Sequence, residues 1–331
     1  SVSSVTKRAT GEMFAMKTVS LEGMAAHSMA ELRQEIAVQK MLDHPNIVRV
    51  FETFEDPKRQ ELHIIMEMCT GGALVSRMKT HRHGYGEKAA ATLMEKMLSA
   101  TMYCHKHGVV HRDIKLENVL LDGEGYVRVT DFNVAKVMEE RRTYSMKGTL
   151  FCMAPEVILK KGHDAAADWW SFAVLIFEMV TGGPPFFSND KQELKRRILG
   201  IDPHHVSLFF PPDVPTSCRM LLSQLFVRDP KHRLGARRQD MALLKAHPFF
   251  GRLSWERLYA KQLPSPLRHS IEALLQSRAL GSSRPKHALN TADQDMAPSY
   301  LSHRRLYTRP ASEPSHALRV VSRGSSLGSL A

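Results

Sequence analysis

The sequence has few cysteines and no long hydrophobic run, and both features exclude classes of protein. The four cysteines are too widely spaced for a zinc knuckle or a disulfide-dense fold, which favours a reducing compartment. They are Cys69, Cys104, Cys152 and Cys218. The longest apolar stretch, WWSFAVLIFEMV at 169–180, is too short to cross a bilayer and contains Glu178. We therefore expect an intracellular protein, cytoplasmic or nuclear, without a transmembrane segment.

Acidic residues are also scarce relative to basic ones. The chain has 34 Asp and Glu against 46 Lys and Arg, which gives a net charge of +12. Such a surface suits acidic partners, including nucleotides, phosphoproteins, membranes and nucleic acid. A basic patch interleaved with aromatic residues is absent, so the sequence gives no support for a specific nucleic-acid partner beyond its charge. The hydrophobic content of 43% is sufficient for a large core.

The hydrophobic pattern predicts strands first and helices later in the chain. MFAMKTV at 13–19 and ELHIIMEM at 61–68 have the character of strands. Helices are predicted at 28–42 and 91–108, the second ended by Gly108. The pattern from 164 to 250 is mainly helical.

The composition changes near the C-terminal end. Residues 263–331 contain nine Lys or Arg and four Asp or Glu, and nine minus four leaves a charge of +5. Serine and proline become frequent and the apolar periodicity fades, apart from one possible helix at 269–280. We expect the rest of this segment to be a flexible basic tail.

The segment HRDIKLEN at 111–118 concentrates groups that suit phosphoryl transfer. The carboxylate of Asp113 can orient or deprotonate a hydroxyl group, and Lys115 can neutralise a transferring phosphate. The amide oxygen of Asn118 can bind Mg²⁺. Any one of these residues alone would equally fit a capped polar loop between two strands.

Four motifs, in this order and spacing, resemble those of protein kinases. They are FAMK (14–17) for the strand with the phosphate-binding lysine, HRDIKLEN for the catalytic loop, DFN (131–133) for a variant DFG metal site, and MAPE (153–156) for the end of the activation segment. The resemblance covers nearly all of residues 1–250. It implies an α+β, bilobal protein kinase fold with a small, mostly β N-lobe at about 1–68 and a large helical C-lobe at about 70–250.

The resemblance also assigns roles to single residues. Asp113 would be the catalytic base, and Lys17 would hold the α- and β-phosphates of ATP while paired with Glu35. Asn118 and Asp131 would bind Mg²⁺. The remaining assignments are Lys115 and Thr149 beside the base, Ala15 and Leu120 against adenine, Met66 as gatekeeper, the Glu67 carbonyl and Cys69 amide as hydrogen-bond partners of adenine, Asp168 as support for the catalytic-loop backbone, and Glu156 with Arg233 as a structural ion pair.

Two segments depart from the usual kinase pattern. The family has glycine after the DFG phenylalanine, whereas this chain has Asn133; we expect a left-handed backbone there, which asparagine tolerates. In the family, a valine that follows the glycine-rich loop corresponds to Val2. The first strand and the glycine-rich loop are therefore expected to be missing, as in an N-terminally truncated domain.

Further motifs resemble those of the AGC group, near the RSK-type kinases. They are RLG (233–235), HPFF (247–250) and SWERLYAKQLPSP (254–266), and DFN itself is found in the YANK kinases of this group. Residues 251–331 would then be an AGC-like C-terminal extension ending in the basic tail. By the same resemblance, an upstream kinase would phosphorylate Ser145 in the activation segment, and the phosphate would bind Arg112.

The resulting expectation is an ATP- and Mg²⁺-dependent protein serine/threonine kinase. Lys115 and Thr149 are typical of enzymes that phosphorylate serine and threonine, and Glu117 and Glu178 match acids that bind arginine upstream of the target residue. Protein substrates with basic residues near the target are therefore expected. The alternative is a catalytically weak pseudokinase or scaffold, because the glycine-rich loop is absent.

Overall fold

In a computed structural model, the chain divides into two compact units, and neither unit is contiguous in sequence. The first unit comprises Ser1–Met29, Val50–Met68 and Gly281–Ala331, and the second comprises Ala30–Arg49 and Cys69–Leu280. The structure describes residues 1–79, 81, 83–133, 135–137, 143–144, 148–200, 210, 214–251, 257, 262–281 and 307–308.

The order of elements confirms the predicted α+β class, with strands dominating early and helices later. The strands are β1 (Val2–Lys7), β2 (Met13–Ser20), β3 (Val50–Asp56), β4 (Glu61–Met66), β5 (Gly72–Ala73), β6 (Val109–Val110), β7 (Val119–Leu121), β8 (Val127–Val129), β9 (Lys136–Val137) and β10 (Tyr307–Thr308). The helices are α1 (Ala26–Met41), α2 (Leu74–Met78), α3 (Glu87–Lys106), α4 (Pro155–Ile158), α5 (Ala166–Thr181), α6 (Lys191–Leu199), α7 (Thr216–Leu225), α8 (Asp240–Lys245) and α9 (Arg268–Gly281).

An antiparallel sheet in the order β10-β1-β2-β4-β3 forms the first unit. Alternate residues of its strands point to one face, where Val5, Phe14, Met16 and Ile65 form a small core. The two strands predicted from sequence correspond to β2 and β4. The pairing of Thr308 with Thr6 on β1 places two residues of the predicted tail at the edge of this sheet.

Helix α5 is the centre of the second unit because nearly all of its side chains are buried and most of them are apolar. Trp170 lies against Phe226 and Phe186, with ring centroids 5.1 and 5.9 Å away. The helix ends at Gly182, whose left-handed backbone (φ 84°) lets its N–H donate to the Glu178 carbonyl.

The predicted helices are present, with shifted ends. Helix α1 begins two residues before the predicted start, and α3 begins four residues before it, because Glu87, Lys88, Ala89 and Ala90 are strong helix formers. The helix considered at 269–280 is confirmed as α9.

None of the four cysteines forms a disulfide bond, and all four are buried. Within the described ranges, no helix combines the length and the apolar character needed to span a bilayer.

Candidate active site

A hairpin brings together two polar residues that are distant in sequence. Strand β7 pairs with β8 so that Val119 lies opposite Val129. One step further, the N–H of Thr130 donates to the carbonyl of Asn118 at 3.0 Å. Asn118 and Asp131 therefore lie at the same end of the hairpin.

The carboxylate of Asp113 is the centre of a hydrogen-bonded cluster. Lys115 Nζ lies 2.6 Å from its Oδ2, and Asn118 Nδ2 donates to the same oxygen at 2.9 Å. Its Oδ1 accepts from the hydroxyl and the backbone N–H of Thr149 at 2.8 and 2.9 Å. Lys115 also donates to the Thr149 hydroxyl at 2.7 Å. Three side chains thus converge on one carboxylate.

The same contacts determine the charge state of Asp113. Burial by itself would raise the pKa of this carboxyl group, but the hydrogen bond and the charge of Lys115 lower it, as does the bond from Thr149. The net pKa lies below the ordinary value. Asp113 is therefore ionised at neutral pH, the state in which it can accept a hydrogen bond from an alcohol.

The end of the hairpin has donor atoms that fit Mg²⁺. Asn118 is 2% exposed, and its Oδ1 atom has no hydrogen-bond partner although its Nδ2 atom makes two bonds. An unpartnered buried amide oxygen is costly unless a cation or water occupies the space in front of it. Among the described residues, no cluster of three His, Cys, Asp or Glu side chains could hold a metal ion. With Asn118 and Asp131, Mg²⁺ would have few ligands from the protein. This is usual for Mg²⁺ that is also bound by phosphates and water.

Asp168 fixes the backbone of the HRD segment from helix α5. Its carboxylate is fully buried and accepts from the backbone N–H groups of His111 and Arg112 at 2.9 and 2.8 Å. His105 Nε2 lies 2.8 Å from the same carboxylate. Burial alone would raise the pKa of Asp168, but His105 and His111 bring the net pKa below the ordinary value. His105 is not among the residues predicted from sequence; its only signal was its place in the last turn of α3.

Thr149 is positioned by a close backbone contact. The preceding Gly148 has φ 118°, and a Cβ atom there would lie 2.5 Å from the carbonyl oxygen of Arg112. Only glycine allows this approach. The contact brings the Thr149 hydroxyl to Asp113, across 36 residues of sequence.

The strained backbone lies at different residues from those expected. Arg112 and Asp131 both have φ 65°, a left-handed conformation that is uncommon for residues other than glycine. Asn133 is described but is not among the non-glycine residues with positive φ, so the expectation for that position was wrong. The strain instead lies at the proposed metal ligand, two residues earlier. Phe132 between them is buried and packs on His111, with ring centroids 4.7 Å apart.

Arg112 lines a cavity of about 180 Å³ in the second unit. Glu31 and Glu35 of α1 form part of its wall, as do Lys136 and the buried Thr143. Burial lowers the pKa of Arg112, and the charges of Asp168, Glu31 and Glu35 partly oppose that shift. The proposed partner of Lys17 therefore shares a cavity with Arg112.

The remaining predicted site residues are distributed over both units. Ala15 and Met66 lie opposite each other on β2 and β4 in the first unit, where Lys17 and Glu67 are also found. Leu120 lies on β7 opposite Ala73 in the second unit, which also contains the buried Cys69. Ser145 lies outside the described residues.

Glu156 and Arg233 form a buried, two-point ion pair. The guanidinium Nη1 and Nη2 atoms donate to Oε1 and Oε2 of Glu156 at 2.7 and 2.9 Å. Arg233 is 1% exposed and also donates to the carbonyls of Ala166 and Val227. The pair joins the MAPE segment to the loop before α8.

Glu178 is buried on α5 and carries a perturbed carboxyl group. Burial is the larger cause and the negative charge of Glu117 the smaller one, and together they raise its pKa to about 8. Two neighbouring carboxylates without enough positive charge form an environment that favours a bound cation.

Comparison with known proteins identifies the family. The profile described as "Protein kinase domain" matches residues 1–250. The chain belongs to the protein kinase family. Among its relatives, Ribosomal protein S6 kinase alpha-2 of Mus musculus is 33% identical over 272 residues, which is 82% of this chain and 36% of that protein. Ribosomal protein S6 kinase alpha-4 of Homo sapiens is 35% identical over 276 residues, 80% of this chain and 35% of that protein.

A plant relative gives a similar result. Serine/threonine-protein kinase AtPK2/AtPK19 of Arabidopsis thaliana is 33% identical over 269 residues, 81% of this kinase and 55% of that protein. The predicted similarity to the AGC group and its RSK-type members is confirmed by these relatives. The chain spans about a third to a half of the length of the curated relatives named here.

Proposed function

We propose that this kinase transfers the γ-phosphate of ATP to serine and threonine hydroxyl groups in an Mg²⁺-dependent reaction. The observation that carries the proposal is the cluster in which Lys115, Thr149 and Asn118 converge on the ionised carboxylate of Asp113. A structural ion pair would not need a hydroxyl group and a buried amide on the same carboxylate. The relatives named above include a serine/threonine-protein kinase, which supports the same activity.

The residues of the second unit divide the chemistry among them. Asp113 accepts the proton of the attacking hydroxyl, or orients it, while Lys115 places positive charge beside the transferring phosphate. The Thr149 hydroxyl makes hydrogen bonds with both Asp113 and Lys115 and so fixes the positions of these two side chains relative to each other. Asn118 Oδ1 and Asp131 would hold Mg²⁺, which when bound would neutralise charge on the phosphates.

ATP itself is assigned by resemblance. By that resemblance, Lys17 would hold the α- and β-phosphates and Glu35 would orient Lys17. The adenine ring would contact Ala15, Leu120 and the gatekeeper Met66. The Glu67 carbonyl and the Cys69 amide would make its hydrogen bonds.

The charged groups around Arg112 bear on regulation by phosphorylation of Ser145. An activation-segment phosphate at this residue would bind Arg112 through charge-assisted hydrogen bonds. Asp168, Glu31 and Glu35 already act on Arg112 electrostatically, so the phosphate has to compete with three carboxylates. We therefore propose that phosphorylation of Ser145 modulates activity rather than switching it on from zero.

The proposed function is tested by transfer of labelled phosphate from ATP to a peptide with arginine upstream of serine. The assay compares this chain, the same chain preceded by a glycine-rich strand, and that longer chain with Asp131→Ala. We expect transfer by the longer chain and a loss of at least about a hundredfold with Asp131→Ala, because the Mg²⁺ ligand is removed. Absence of transfer by every form, with nucleotide binding retained, would instead support the scaffold alternative.

Recognition of basic substrates should depend on pH through Glu178. Arginine binds the ionised form of Glu178, which becomes common only near its pKa of about 8. From pH 6.5 to 8.5 the ionised fraction of a group with a pKa of about 8 rises from about 3% to about 76%, so we expect KM for the arginine peptide to fall by about 25-fold.

Two controls isolate this effect. Glu178→Gln should abolish the pH dependence, and a peptide with alanine in place of arginine should show none with the unmodified kinase. The same slope in the variant and in the unmodified kinase would show that another group is responsible.

A further inference from the structure

Helix α9, near the end of the described chain, is packed into the core of the second unit. Leu267 precedes it at 4% exposure and Ile271 within it is fully buried, both in the main hydrophobic core. Leu275, one turn further on, packs against that core. These three apolar residues hold α9 in a fixed position on the second unit.

The start of α9 contacts the turn between β7 and β8. Gly125 in this turn has φ 80°, and a Cβ atom there would lie 3.1 Å from Ser265 Oγ and 3.2 Å from the backbone nitrogen of Arg268. The Ser265 hydroxyl donates to the Gly125 carbonyl at 2.6 Å. The conformation and the close approach both require glycine.

The other end of α9 reaches residues 69–72. Arg278 Nη1 donates to the backbone carbonyl of Thr70 at 3.0 Å. A Cβ atom on Gly123 would lie 3.0 Å from Thr70 Oγ1 and 4.0 Å from Leu275 Cδ1. Thr70 is thus enclosed by α9 on one side and by the β7–β8 turn on the other.

Residues 69–72 are also tied to β7, the strand that carries Leu120. The N–H of Gly71 donates to the Leu121 carbonyl at 2.9 Å, and a Cβ atom on Gly71 would lie 2.7 Å from the Asp122 carbonyl. A displacement of Thr70 would therefore be transmitted to Cys69 on one side and to the end of β7 on the other.

We propose that α9 is a brace for adenine recognition and that Arg278 is a positioning residue in it. The inference rests on the proposed function, in which the Cys69 amide and Leu120 contact adenine. Arg278 anchors the carbonyl of Thr70, the residue after Cys69, and the packing of Leu275 on the core holds the helix that carries Arg278. The brace fixes the direction of the Cys69 N–H before the nucleotide binds. The conformational entropy that is lost on binding is therefore smaller.

The test replaces Arg278 with alanine in this chain. Arg278 is exposed, so its truncation leaves no cavity. We expect the Kd of a fluorescent ATP analogue to rise by about three- to tenfold, the range for loss of one hydrogen bond of ordinary strength, because this bond is exposed to solvent. Amide hydrogen exchange at residues 69–72 should become faster, with the melting temperature unchanged. Arg278→Lys should recover part of the affinity because it keeps a charged donor.

The matched control is Arg268→Ala, at the other end of the same helix. Arg268 is paired with Glu272 at 2.9 Å, so its truncation should leave Kd and exchange at 69–72 unaltered. Equal effects of the two truncations, or unchanged exchange in Arg278→Ala, would overturn the brace. If the unmodified chain binds no nucleotide, the proposed function fails, whereas the exchange comparison still decides whether α9 restrains residues 69–72.

Discussion

Replacing Asp113 with asparagine should lower kcat for phosphate transfer by about a hundred- to ten-thousandfold, the contribution expected of a general base. Asparagine has nearly the same shape but lacks the charge and the basic oxygen. It also has an NH₂ group in place of one oxygen, and both carboxylate oxygens of Asp113 face donors: Lys115 and Asn118 on one side, Thr149 on the other. The cluster would therefore lose at least one hydrogen bond in either orientation of the amide.

The measurement is steady-state kinetics on the chain preceded by a glycine-rich strand. Binding of a fluorescent ATP analogue should change by less than about threefold, which separates loss of chemistry from loss of fold. Thr149→Ser is the matched control, because it keeps the hydroxyl that bonds to Asp113 and Lys115 and should retain most of kcat. Retention of more than a tenth of the activity by Asp113→Asn would mean that the cluster is structural and that the hydroxyl is activated elsewhere.

The sequence was informative about the chemical groups and less so about what holds them in place. Asp113, Lys115 and Asn118 lie within eight residues, so a short motif specifies them together. Their supports come from far along the chain: Asp168 contacts His111 across 57 residues, and Thr149 contacts Asp113 across 36. Motif resemblance indicated both contacts, but no local pattern in the sequence could have done so.

The backbone expectation for DFN was wrong for a related reason. Residue type suggested that Asn133 would carry the strain, because asparagine tolerates positive φ. The structure has the strain at Asp131, next to Thr130, whose N–H is bonded to Asn118 and whose carbonyl lies 3.1 Å from His111 Nε2. Tertiary hydrogen bonds on both faces of Thr130 determine the chain direction there, and intrinsic preference does not reveal them. The same limit applies to α9: the sequence pattern predicted a helix there, but not the residues against which the helix packs.

Glu156→Ala should lower the free energy of unfolding by about 3–5 kcal/mol, the usual cost of leaving one member of a buried ion pair without its partner. Arg233 is held by four hydrogen bonds, of which two are to Glu156. Without that carboxylate its charge remains buried over the ring of Trp170, 5.2 Å from the centroid. In a chain of this size the melting temperature should fall by about 6–20 °C, measured by thermal unfolding monitored by circular dichroism.

The double variant Glu156→Leu with Arg233→Met separates charge from packing. Replacing both members with apolar residues removes the unpaired charge, so we expect it to be clearly more stable than Glu156→Ala. If both variants unfold at the same temperature, an unpaired buried charge is not the main cost of Glu156→Ala. Because Ala166 begins the helix that carries Asp168, a stable double variant that has lost phosphate transfer would show that the ion pair also positions the catalytic loop.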